Sequence, residues 1–247
     1  FQAEDGIRDF CLSRGLGDVY KRQPDIHKKF EKRFNIPIIE TMGLTETGSQ
    51  ITTNPMPPGE RKIGSPGKAY GNQIMIGDDQ FRALPAGETG EILVKGDNVM
   101  QGYFKQPEET HKTVLENGWL RTGDLGYLDT DGYVFVSGRI KELIIKGGEN
   151  IAPREIDEAL LNHPGILEAA AFAVPCNDYG ERVEACVLLK EKVSVELAEL
   201  ISHCESQIGK FKSPDNIHIV AELPKAPSGK VQRLKLLELI YENQNQQ

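Results

Sequence analysis

The sequence predicts a mixed α/β and α+β fold, with a β-rich first part and a smaller, compact α+β second part. Between residues 72 and 96, short alternating runs of apolar residues are separated by Pro, Gly and Asp turns, as in short strands. After Ile151, amphipathic helices and apolar strands follow one another at short intervals, which is typical of an α+β domain. A length of 247 residues allows one or two domains with their own cores.

Composition and charge narrow the classes of function. An apolar content of 38% and a charged content of 27% are ordinary for a soluble globular protein. The formal net charge of -8 argues against a nucleic-acid partner, which would need a basic face. The longest apolar run, residues 169–174, is far too short to be a transmembrane segment. Nothing in the composition indicates the oligomeric state.

The cysteines lie far apart and form no C-x-x-C pair, so they indicate neither a zinc site nor a disulfide framework. They are Cys11, Cys176, Cys186 and Cys204. The simplest interpretation is a reducing, cytoplasmic compartment. Residues 244–247 carry no targeting tripeptide of the Ser-Lys-Leu kind.

The first 23 residues differ from the rest of the chain. Residues 1–23 show no sustained helical or strand period and resemble translated sequencing-adapter sequence. We therefore expect a non-native tail that packs on nothing, and a native but irregular arm is the alternative. From Pro24 onwards, Ile26, Phe30 and Phe34 recur at helical spacing and predict one amphipathic helix.

Apolar periodicity and turn residues predict the remaining elements. The apolar run 36–39 predicts a strand that ends in the polar loop 40–48, and such loops often bind ligands in α/β proteins. A solvated turn is an equally good interpretation of this loop. Further strands are predicted within 72–76, 90–96, 133–136, 169–174, 183–189 and 216–220, and further helices within 107–117, 153–162, 194–206 and 231–241.

The stretch 119–151 concentrates residues that are typical of a binding site. It contains Thr122-Gly123-Asp124 in a turn, then Gly138-Arg139-Ile140-Lys141 after a strand, then Gly147-Gly148. A carboxylate in a glycine turn and a basic pair at a strand end suggest the edge of a site. We expect one domain over 24–137 and a second over 138–247, with the boundary near 138–141.

Four short segments occur in a characteristic order: Gly43-Leu44-Thr45-Glu46, Arg121-Thr122-Gly123-Asp124, Gly138-Arg139-Ile140-Lys141 with Gly147-Gly148, and Pro227-Ser228-Gly229-Lys230. Together with residues 90–96 and Gly102-Tyr103, they resemble the later core motifs of the adenylate-forming (AMP-binding) superfamily, of which acyl-CoA synthetases are a branch. The resemblance covers roughly residues 35 to 240. Each motif alone is weak, but all of them in this order make a chance match very improbable.

The resemblance implies a nucleotide site in the first part of the chain. Glu46 would hold Mg²⁺ against the phosphates of ATP, and the neighbouring Thr45 hydroxyl would contact phosphate. Gly43 opens the same motif and is assigned to the nucleotide site with it. Asp124 would accept hydrogen bonds from both ribose hydroxyls, for which a carboxylate is well suited. Arg139 would reach ribose and phosphate, and a surface salt-bridge partner is its alternative interpretation.

The resemblance also assigns roles in the second part. Lys141 matches the hinge about which a small domain rotates between two half-reactions. Gly147 and Gly148 match the turn along which the pantetheine arm of coenzyme A passes, and an ordinary tight turn would look the same in sequence. Lys230 matches the lysine that bridges the acid's carboxylate and the α-phosphate of ATP. Without its motif, Lys230 would be interpreted as a solvated surface charge.

Two departures from the family pattern affect these expectations. Met42 stands where the family usually has an aromatic ring that stacks on adenine. A phosphate loop rich in Ser, Thr and Gly, which the family carries well upstream, is missing. We therefore expect the C-terminal portion of a longer enzyme, with no adenylation activity of its own.

The resemblance implies an ATP-dependent acid–thiol ligase that converts a small-molecule carboxylic acid into an acyl-AMP and transfers the acyl group to coenzyme A. ATP or AMP, Mg²⁺ and coenzyme A are the expected ligands. Fatty acids and small dicarboxylates both remain open as substrates. Two alternatives are an adenylation domain that loads a carrier protein and a non-catalytic nucleotide-binding module.

Overall fold

The computed structural model describes residues 24–227 and 229–242, and the predicted tail, residues 1–23, lies outside them. The chain divides between Ile140 and Lys141 into two compact units. We describe each unit by itself.

The first unit, residues 24–140, contains one longer helix, two antiparallel sheets and a short helix. Helix α1 spans Pro24–Phe34, as its apolar spacing predicts. The first sheet has the order β1-β2-β3 and the second the order β4-β5-β6-β7. The strands are β1 Thr41–Leu44, β2 Ser49–Thr53, β3 Lys68–Ala69, β4 Gln73–Gly77, β5 Gly90–Lys95, β6 Leu120–Leu128 and β7 Val134–Arg139, and the short helix α2 spans Pro107–Thr113.

The two sheets of this unit share one hydrophobic core. Met42 and Ile51 come from the first sheet, and Ile76, Ile92 and Val134 from the second. Residues on one face of each strand are apolar, so pairing within the sheets and burial between them favour the same register. The candidate loops at the strand ends are therefore fixed to a rigid support.

The predicted strand at 36–39 is wrong, and the strand lies instead within the predicted loop 40–48. Strand β1 occupies Thr41–Leu44 because β2 pairs with it there, from Thr41 opposite Thr53 onwards. The backbone of Ile38 has other partners, since its N–H donates to Glu31 Oε1 (2.7 Å) and its carbonyl accepts from Arg61 (2.9 Å). An apolar run alone cannot show where the neighbouring strand will lie.

The helix predicted over 107–117 is shorter in the structure. Helix α2 ends at Thr113, and Val114 is already extended and bridges to Leu120. The N–H of Leu115 donates to the carbonyl of Trp119 (2.8 Å), which closes a hairpin at the turn Asn117-Gly118. Pairing with the start of β6 is therefore preferred to continued helix.

The second unit, described from Lys141 to Glu242, is an α+β fold around a single sheet. The sheet has the order β10-β11-β8-β9, and β12 pairs in parallel with β11. Pro153 at the first position of α3 fixes where that helix begins. The elements are β8 Ile144–Lys146, β9 Glu149–Ile151, α3 Pro153–Leu161, β10 Ile166–Cys176, β11 Gly180–Leu189, α4 Leu197–Ile208 and β12 Asn216–Ile219.

Both faces of this sheet are covered. Successive side chains of a strand point to opposite faces, so Ala171 packs with the core of α3 and α4 while Ala170 and Phe172 pack with the C-terminal segment. Burial on both sides explains why β10 and β11 read as nearly continuous apolar runs. The segment 220–241 is therefore part of the core.

The last predicted helix, 231–241, forms only partly with α-helical geometry. The segment is helical with mixed geometry: a 3₁₀ turn at Arg233–Lys235, α-helical residues at 236–237 and a π-helical turn at Glu238–Glu242. Leu236 and Ile240 keep the helical spacing and are buried, as predicted. The backbone departs from an α-helix because tertiary contacts fix this segment, among them the bond from Gln232 N–H to Pro224 O (2.7 Å).

No helix in residues 24–227 and 229–242 combines the length and apolar character needed to cross a bilayer.

The buried thiols of the second unit provide a test of this packing. Burial raises the pKa of Cys186 to about 12 and that of Cys204 to about 11, so both remain neutral thiols at pH 8. We expect iodoacetamide at pH 8 to modify Cys176, which is partly exposed, much faster than Cys186 or Cys204. Peptide mass spectrometry separates the three sites, and urea should abolish the difference. Equal rates in the native protein would contradict the described core.

Candidate functional site

The first candidate segment is a tight turn between β1 and β2 that carries Thr45 and Glu46. Residues Thr45–Thr47 form one 3₁₀ turn, which Gly48 closes with a φ of 64°. Buried Thr47 holds this turn, because its hydroxyl contacts the carbonyl oxygens of Leu44 and Ser49 at 3.0 and 2.9 Å. The Thr45 side chain is exposed and that of Glu46 partly exposed, so the turn presents both outward.

A tyrosine orients the Glu46 carboxylate. The Tyr103 hydroxyl donates to Glu46 Oε1 (2.9 Å), and the Glu46 carbonyl accepts from Met100 N–H (2.8 Å). Burial, together with the nearby Glu46 charge, raises the pKa of Tyr103, so the phenol stays protonated and remains a donor at neutral pH. The structure thus links two separate motifs, the Glu46 turn and Gly102-Tyr103.

Gly43 has a structural role that the motif did not show. A Cβ at this position would lie 2.6 Å from Ser49 O and 3.1 Å from Gln50 Cα, both in the backbone of β2. The pairing register also shifts between Met42 and Gly43. Gly43 therefore allows β1 to approach β2 closely at the base of the Glu46 turn, independently of any nucleotide.

Asp124 and Arg139, both predicted to bind ribose, face each other across the β6–β7 pair. Arg139 Nε lies 2.8 Å from Asp124 Oδ1, and the Asp124 side chain is 3% exposed against 47% for Arg139. A buried carboxylate needs a charged or hydrogen-bonding partner, and Arg139 supplies one. Arg139 was interpreted either as a ligand of ribose and phosphate or as a salt-bridge partner. The two interpretations are compatible, because the residue with which it forms the salt bridge is Asp124.

Glu91 fixes the turn before Asp124 and was missed by the sequence analysis. Its carboxylate accepts from Gly123 N–H (3.1 Å) and from Arg121 Nε (3.0 Å), and it is itself buried. The Thr122 hydroxyl accepts from Asp124 N–H at 3.0 Å. A glutamate within the apolar strand β5 was the available signal, but its partners lie far along the chain.

Gly147 and Gly148 form the turn of the β8–β9 hairpin, with φ of 59° and 84°. Gly147 N–H donates to the carbonyl of Tyr179 (2.9 Å), and the Tyr179 ring lies beside it. The Phe211 ring lies on the same turn, and both rings are about half exposed. A Cβ at Gly148 would meet nothing within 4 Å, so the space beside this residue is open.

A buried lysine lies beneath these rings. The Lys146 ammonium is 5.8 Å from the Tyr179 ring centroid and 5.5 Å from that of Phe211, and it pairs with Asp215 Oδ2 at 2.9 Å. Cation–π contacts of this kind attract both rings to the same fixed charge. Sequence analysis did not predict this cluster, because its members are widely separated along the chain.

Lys230 lies at the end of a small hairpin in the second unit. Its carbonyl accepts from Ala226 N–H (2.8 Å), and Lys225 and Val231 form an isolated bridge below it. Within residues 24–227 and 229–242, no ion pair engages the half-buried Lys230 side chain. The hairpin thus carries the Lys230 ammonium without an ion pair to any of the described residues.

The predicted hinge residue, Lys141, lies in the 3₁₀ turn Ile140–Glu142 at the division between the two units. Its side chain is exposed, and the part of the chain that the structure describes offers it no ion pair. Met42, which stands where the family usually has an aromatic ring, is buried in the core between the two sheets.

Two family models match two separate parts of the chain, one of which includes the Glu46 turn and the other Lys230. The model of the AMP-binding enzyme matches residues 21–104, which include the Glu46 turn. The model of the AMP-binding enzyme C-terminal domain matches residues 155–230, up to and including Lys230. The chain belongs to the AMP-binding, or adenylate-forming, enzyme family.

This member of the AMP-binding family is similar to several curated CoA ligases. It is 51% identical to the sulfoacetate–CoA ligase of Cupriavidus necator over 96% of this chain and 45% of that protein. It is 42% identical to the oxalate–CoA ligase of Saccharomyces cerevisiae, covering 87% and 40% of the two chains. The 2-succinylbenzoate–CoA ligase of Bacillus cytotoxicus is also 42% identical, covering 94% and 47%. The chain thus spans less than half the length of these relatives.

Solved structures of AMP-binding enzymes confirm the predicted fold class. ATP-bound MatB from Rhodopseudomonas palustris superposes with a TM-score of 0.83 at 36% identity, covering 87% of this chain and 43% of that one. The o-succinylbenzoate CoA synthetase of Bacillus subtilis, in complex with its acyl-adenylate intermediate, gives a TM-score of 0.75 at 35% identity, covering 86% and 43%. The mixed α/β architecture is therefore shared with enzymes that were solved with ATP or an acyl-adenylate.

The close approach at Gly43 predicts a loss of stability in the nucleotide-free protein. Gly43→Ala should lower the free energy of unfolding by about 1–3 kcal/mol, because the added methyl group meets backbone that cannot move aside cheaply. Thr45→Ala, at an exposed side chain two residues on, should change it by at most about 0.5 kcal/mol. Urea titration of both variants without nucleotide measures the difference. An unchanged midpoint for Gly43→Ala would show that this glycine is needed only for the ligand.

Proposed function

We propose that the whole protein is an ATP-dependent acid–thiol ligase, which activates a carboxylic acid as acyl-AMP and transfers the acyl group to coenzyme A. The buried Asp124 carboxylate, held by Arg139 in a chain of the AMP-binding family, is the observation that carries the proposal. The relatives described above bear the names of CoA ligases. This supports coenzyme A as the acceptor, in preference to a carrier protein.

The nucleotide would be bound by residues of the first unit. Asp124 has two acceptor oxygens for the two ribose hydroxyls, and Arg139 fixes its orientation while offering further donors to the ribose or a phosphate. Thr45 would contact phosphate from the outward side of its turn. Gly43 contributes by letting β1 and β2 hold that turn in place.

Glu46 fits a Mg²⁺ ion that is bound mainly by the nucleotide. No cluster of three or more His, Cys, Asp or Glu side chains that could hold a metal occurs among residues 24–227 and 229–242. Mg²⁺ is commonly held by one or two carboxylates together with substrate phosphates and water, so a single oriented carboxylate suits it. When bound, the ion would neutralise negative charge on the phosphates. The hydrogen bond from Tyr103 would hold the Glu46 carboxylate in one orientation.

In the first step, a carboxylate oxygen of the acid attacks the α-phosphorus of ATP. A new O–P bond forms, the bond to the β-phosphate oxygen breaks, and pyrophosphate leaves with the electron pair. The Lys230 ammonium would stabilise the charge that develops on the α-phosphate and on the acid, since a compact cation on a flexible stem can follow it. The hairpin at Gly229 places this lysine at an accessible position.

In the second step, the thiol of coenzyme A loses its proton and attacks the acyl carbon, the C–O bond to phosphate breaks, and AMP leaves. The Gly147-Gly148 turn would admit the pantetheine arm, because no Cβ occupies the space beside Gly148. The half-exposed rings of Tyr179 and Phe211 offer a flat apolar surface along this path, with the Lys146 charge beneath it.

Residues 24–137 and 138–247 would act as two domains, with Lys141 as the hinge between the two steps. The division of the chain at Ile140 and the short 3₁₀ turn there support this assignment, since hinges are short segments at the ends of elements. We propose a cytoplasmic location, which suits the free thiols that the described part of the chain carries at positions 176, 186 and 204.

The proposed substrate is a small acid with a second anionic group. Sulfoacetate, oxalate and 2-succinylbenzoate, which give three relatives their names, share this feature, and a fatty acid lacks it. The test is a hybrid in which residues 24–247 replace the matching segment of the Cupriavidus necator ligase. We expect this hybrid to exchange pyrophosphate into ATP with a small acid of this kind, and not with a fatty acid. A folded hybrid without acid-dependent exchange would overturn the proposal.

In this hybrid, Lys230→Ala should lower the rate of acyl-AMP formation by about 10² to 10³, the usual effect of losing one electrostatic donor. Thioester formation from supplied acyl-AMP and coenzyme A should stay nearly unchanged, because Lys230 is not used in that step. Lys225→Ala, in the same hairpin but paired with Glu168, is the control and should affect neither step. Equal losses in both steps for Lys230→Ala would contradict its assignment to adenylation.

Lys141→Pro tests the hinge. Proline fixes φ near −65° and removes one soft dihedral, so the chain should be held in one arrangement. Acyl-AMP formation and thioester formation, measured separately, should therefore respond differently, with one step retained and the other reduced. Lys141→Ala keeps the dihedral free and should retain both. An unaffected overall turnover in Lys141→Pro would place the hinge elsewhere.

A further inference from the structure

Arg233 makes the most extensive set of side-chain contacts near Lys230, and none of the proposed steps uses it. Its Nη2 lies 2.7 Å from Asp157 Oδ2 and its Nη1 3.3 Å from Asp157 Oδ1. The same Nη1 donates to the carbonyl of Ala171, and Nε lies 3.2 Å from Glu142 Oε2. The Arg233 guanidinium thus joins helix α3, strand β10 and the turn Ile140–Glu142, which contains the proposed hinge residue.

This guanidinium is attached directly to the hairpin that carries Lys230. Arg233 follows Lys230 by three residues, and the intervening Gln232 donates its N–H to Pro224 O (2.7 Å) at the hairpin's other strand. Buried Leu236 then anchors the chain in the core. The side chain of Arg233 is 14% exposed, so its position is set by packing as well as by charge.

The two carboxylates that contact Arg233 differ in their surroundings. Asp157 is as little exposed as Arg233 and also accepts from Ala171 N–H (2.6 Å), so it belongs to the interior of the unit. Glu142 is 30% exposed, and among the described residues Arg233 is its one ion-pair partner. Glu142 directly follows Lys141. It therefore connects the lysine hairpin to the proposed hinge and contributes little to the core.

We propose that Arg233 is a positioning residue for Lys230, and that its pair with Glu142 fixes the lysine hairpin relative to the hinge segment. This inference rests on the proposed function, in which Lys230 serves acyl-AMP formation. A rotation of the second unit about Lys141 places Lys230 correctly only if the hinge segment and the lysine hairpin move together as one rigid body. The guanidinium supplies that connection, because its planar fork can hold two carboxylates and a carbonyl at once.

A purely structural role for Arg233 predicts different behaviour. Arg233→Ala would leave the Asp157 carboxylate buried without its partner and is expected to prevent folding, so it cannot distinguish the two roles. Glu142→Gln removes the charge of the partly exposed carboxylate that contacts Arg233, and it leaves the contacts between Arg233 and Asp157 in place. Its effect on the thermal midpoint should be no larger than that of Glu158→Gln, which breaks an exposed ion pair with Arg154 on the same helix as Asp157.

The test uses the hybrid described above. In Glu142→Gln, kcat for acyl-AMP formation should fall about 10-fold to 100-fold with the KM for ATP unchanged, since small misplacements of a reacting group have effects of this size. Thioester formation from supplied acyl-AMP should be unaffected, and Glu158→Gln should leave both steps unaltered. The decisive variant combines Glu142→Gln with Lys230→Ala, which should react no more slowly than Lys230→Ala alone, because Glu142 acts through that lysine.

Three results would overturn the inference, and they differ from failure of the proposed function. Unchanged acyl-AMP formation in Glu142→Gln, equal slowing of both steps, or a further loss of rate on adding Glu142→Gln to Lys230→Ala would each exclude positioning through Lys230. In all three, the parent hybrid remains active and dependent on Lys230. A folded parent hybrid without acid-dependent exchange would instead overturn the proposed function, and this inference with it.

Discussion

The requirement that a buried carboxylate be paired governs the arrangement of the candidate site. Asp124 is almost inaccessible to solvent, and an unpaired charge there would cost several kcal/mol. Arg139 provides the pair only because β6 and β7 run antiparallel with these two residues opposite each other. Register, turn and side-chain orientation are therefore coupled. A slip of the strand by one residue would place Asp124 on the other face of the sheet and separate the pair.

The same requirement recurs wherever a candidate residue lies on a loop. Glu91 holds the turn before Asp124 through Arg121 and a backbone N–H, and Asp157 holds the segment after Lys230 through Arg233. Loops are in general mobile, but a loop that is held by such a buried pair keeps one conformation. Ion pairs beside the loops thus fix the positions of the exposed candidate residues and also satisfy the buried carboxylates.

The sequence predicted much of the second unit and the location of the candidate segments, because periodicity and turn residues report local preference. Strands β10 and β11 and helices α1 and α3 lie where their apolar spacing places them. Prediction failed where a distant partner decides the local structure, as at β1, which β2 positions. It also did not single out Glu91, Tyr103 or Arg233 as supports for site residues. Their roles depend on contacts across the fold, which spacing along the chain cannot show.

The helix predicted at 231–241 shows how tertiary contacts can modify a clear helical period. Leu236 and Ile240 are buried at the spacing of an α-helix, so the apolar signal was correct. The ends of the segment are fixed by side chains, however: Arg233 reaches Asp157, and the Tyr241 hydroxyl contacts the buried carboxylate of Glu184 at 2.7 Å. With both ends held by such contacts, the backbone between them takes 3₁₀, α and π geometry in turn.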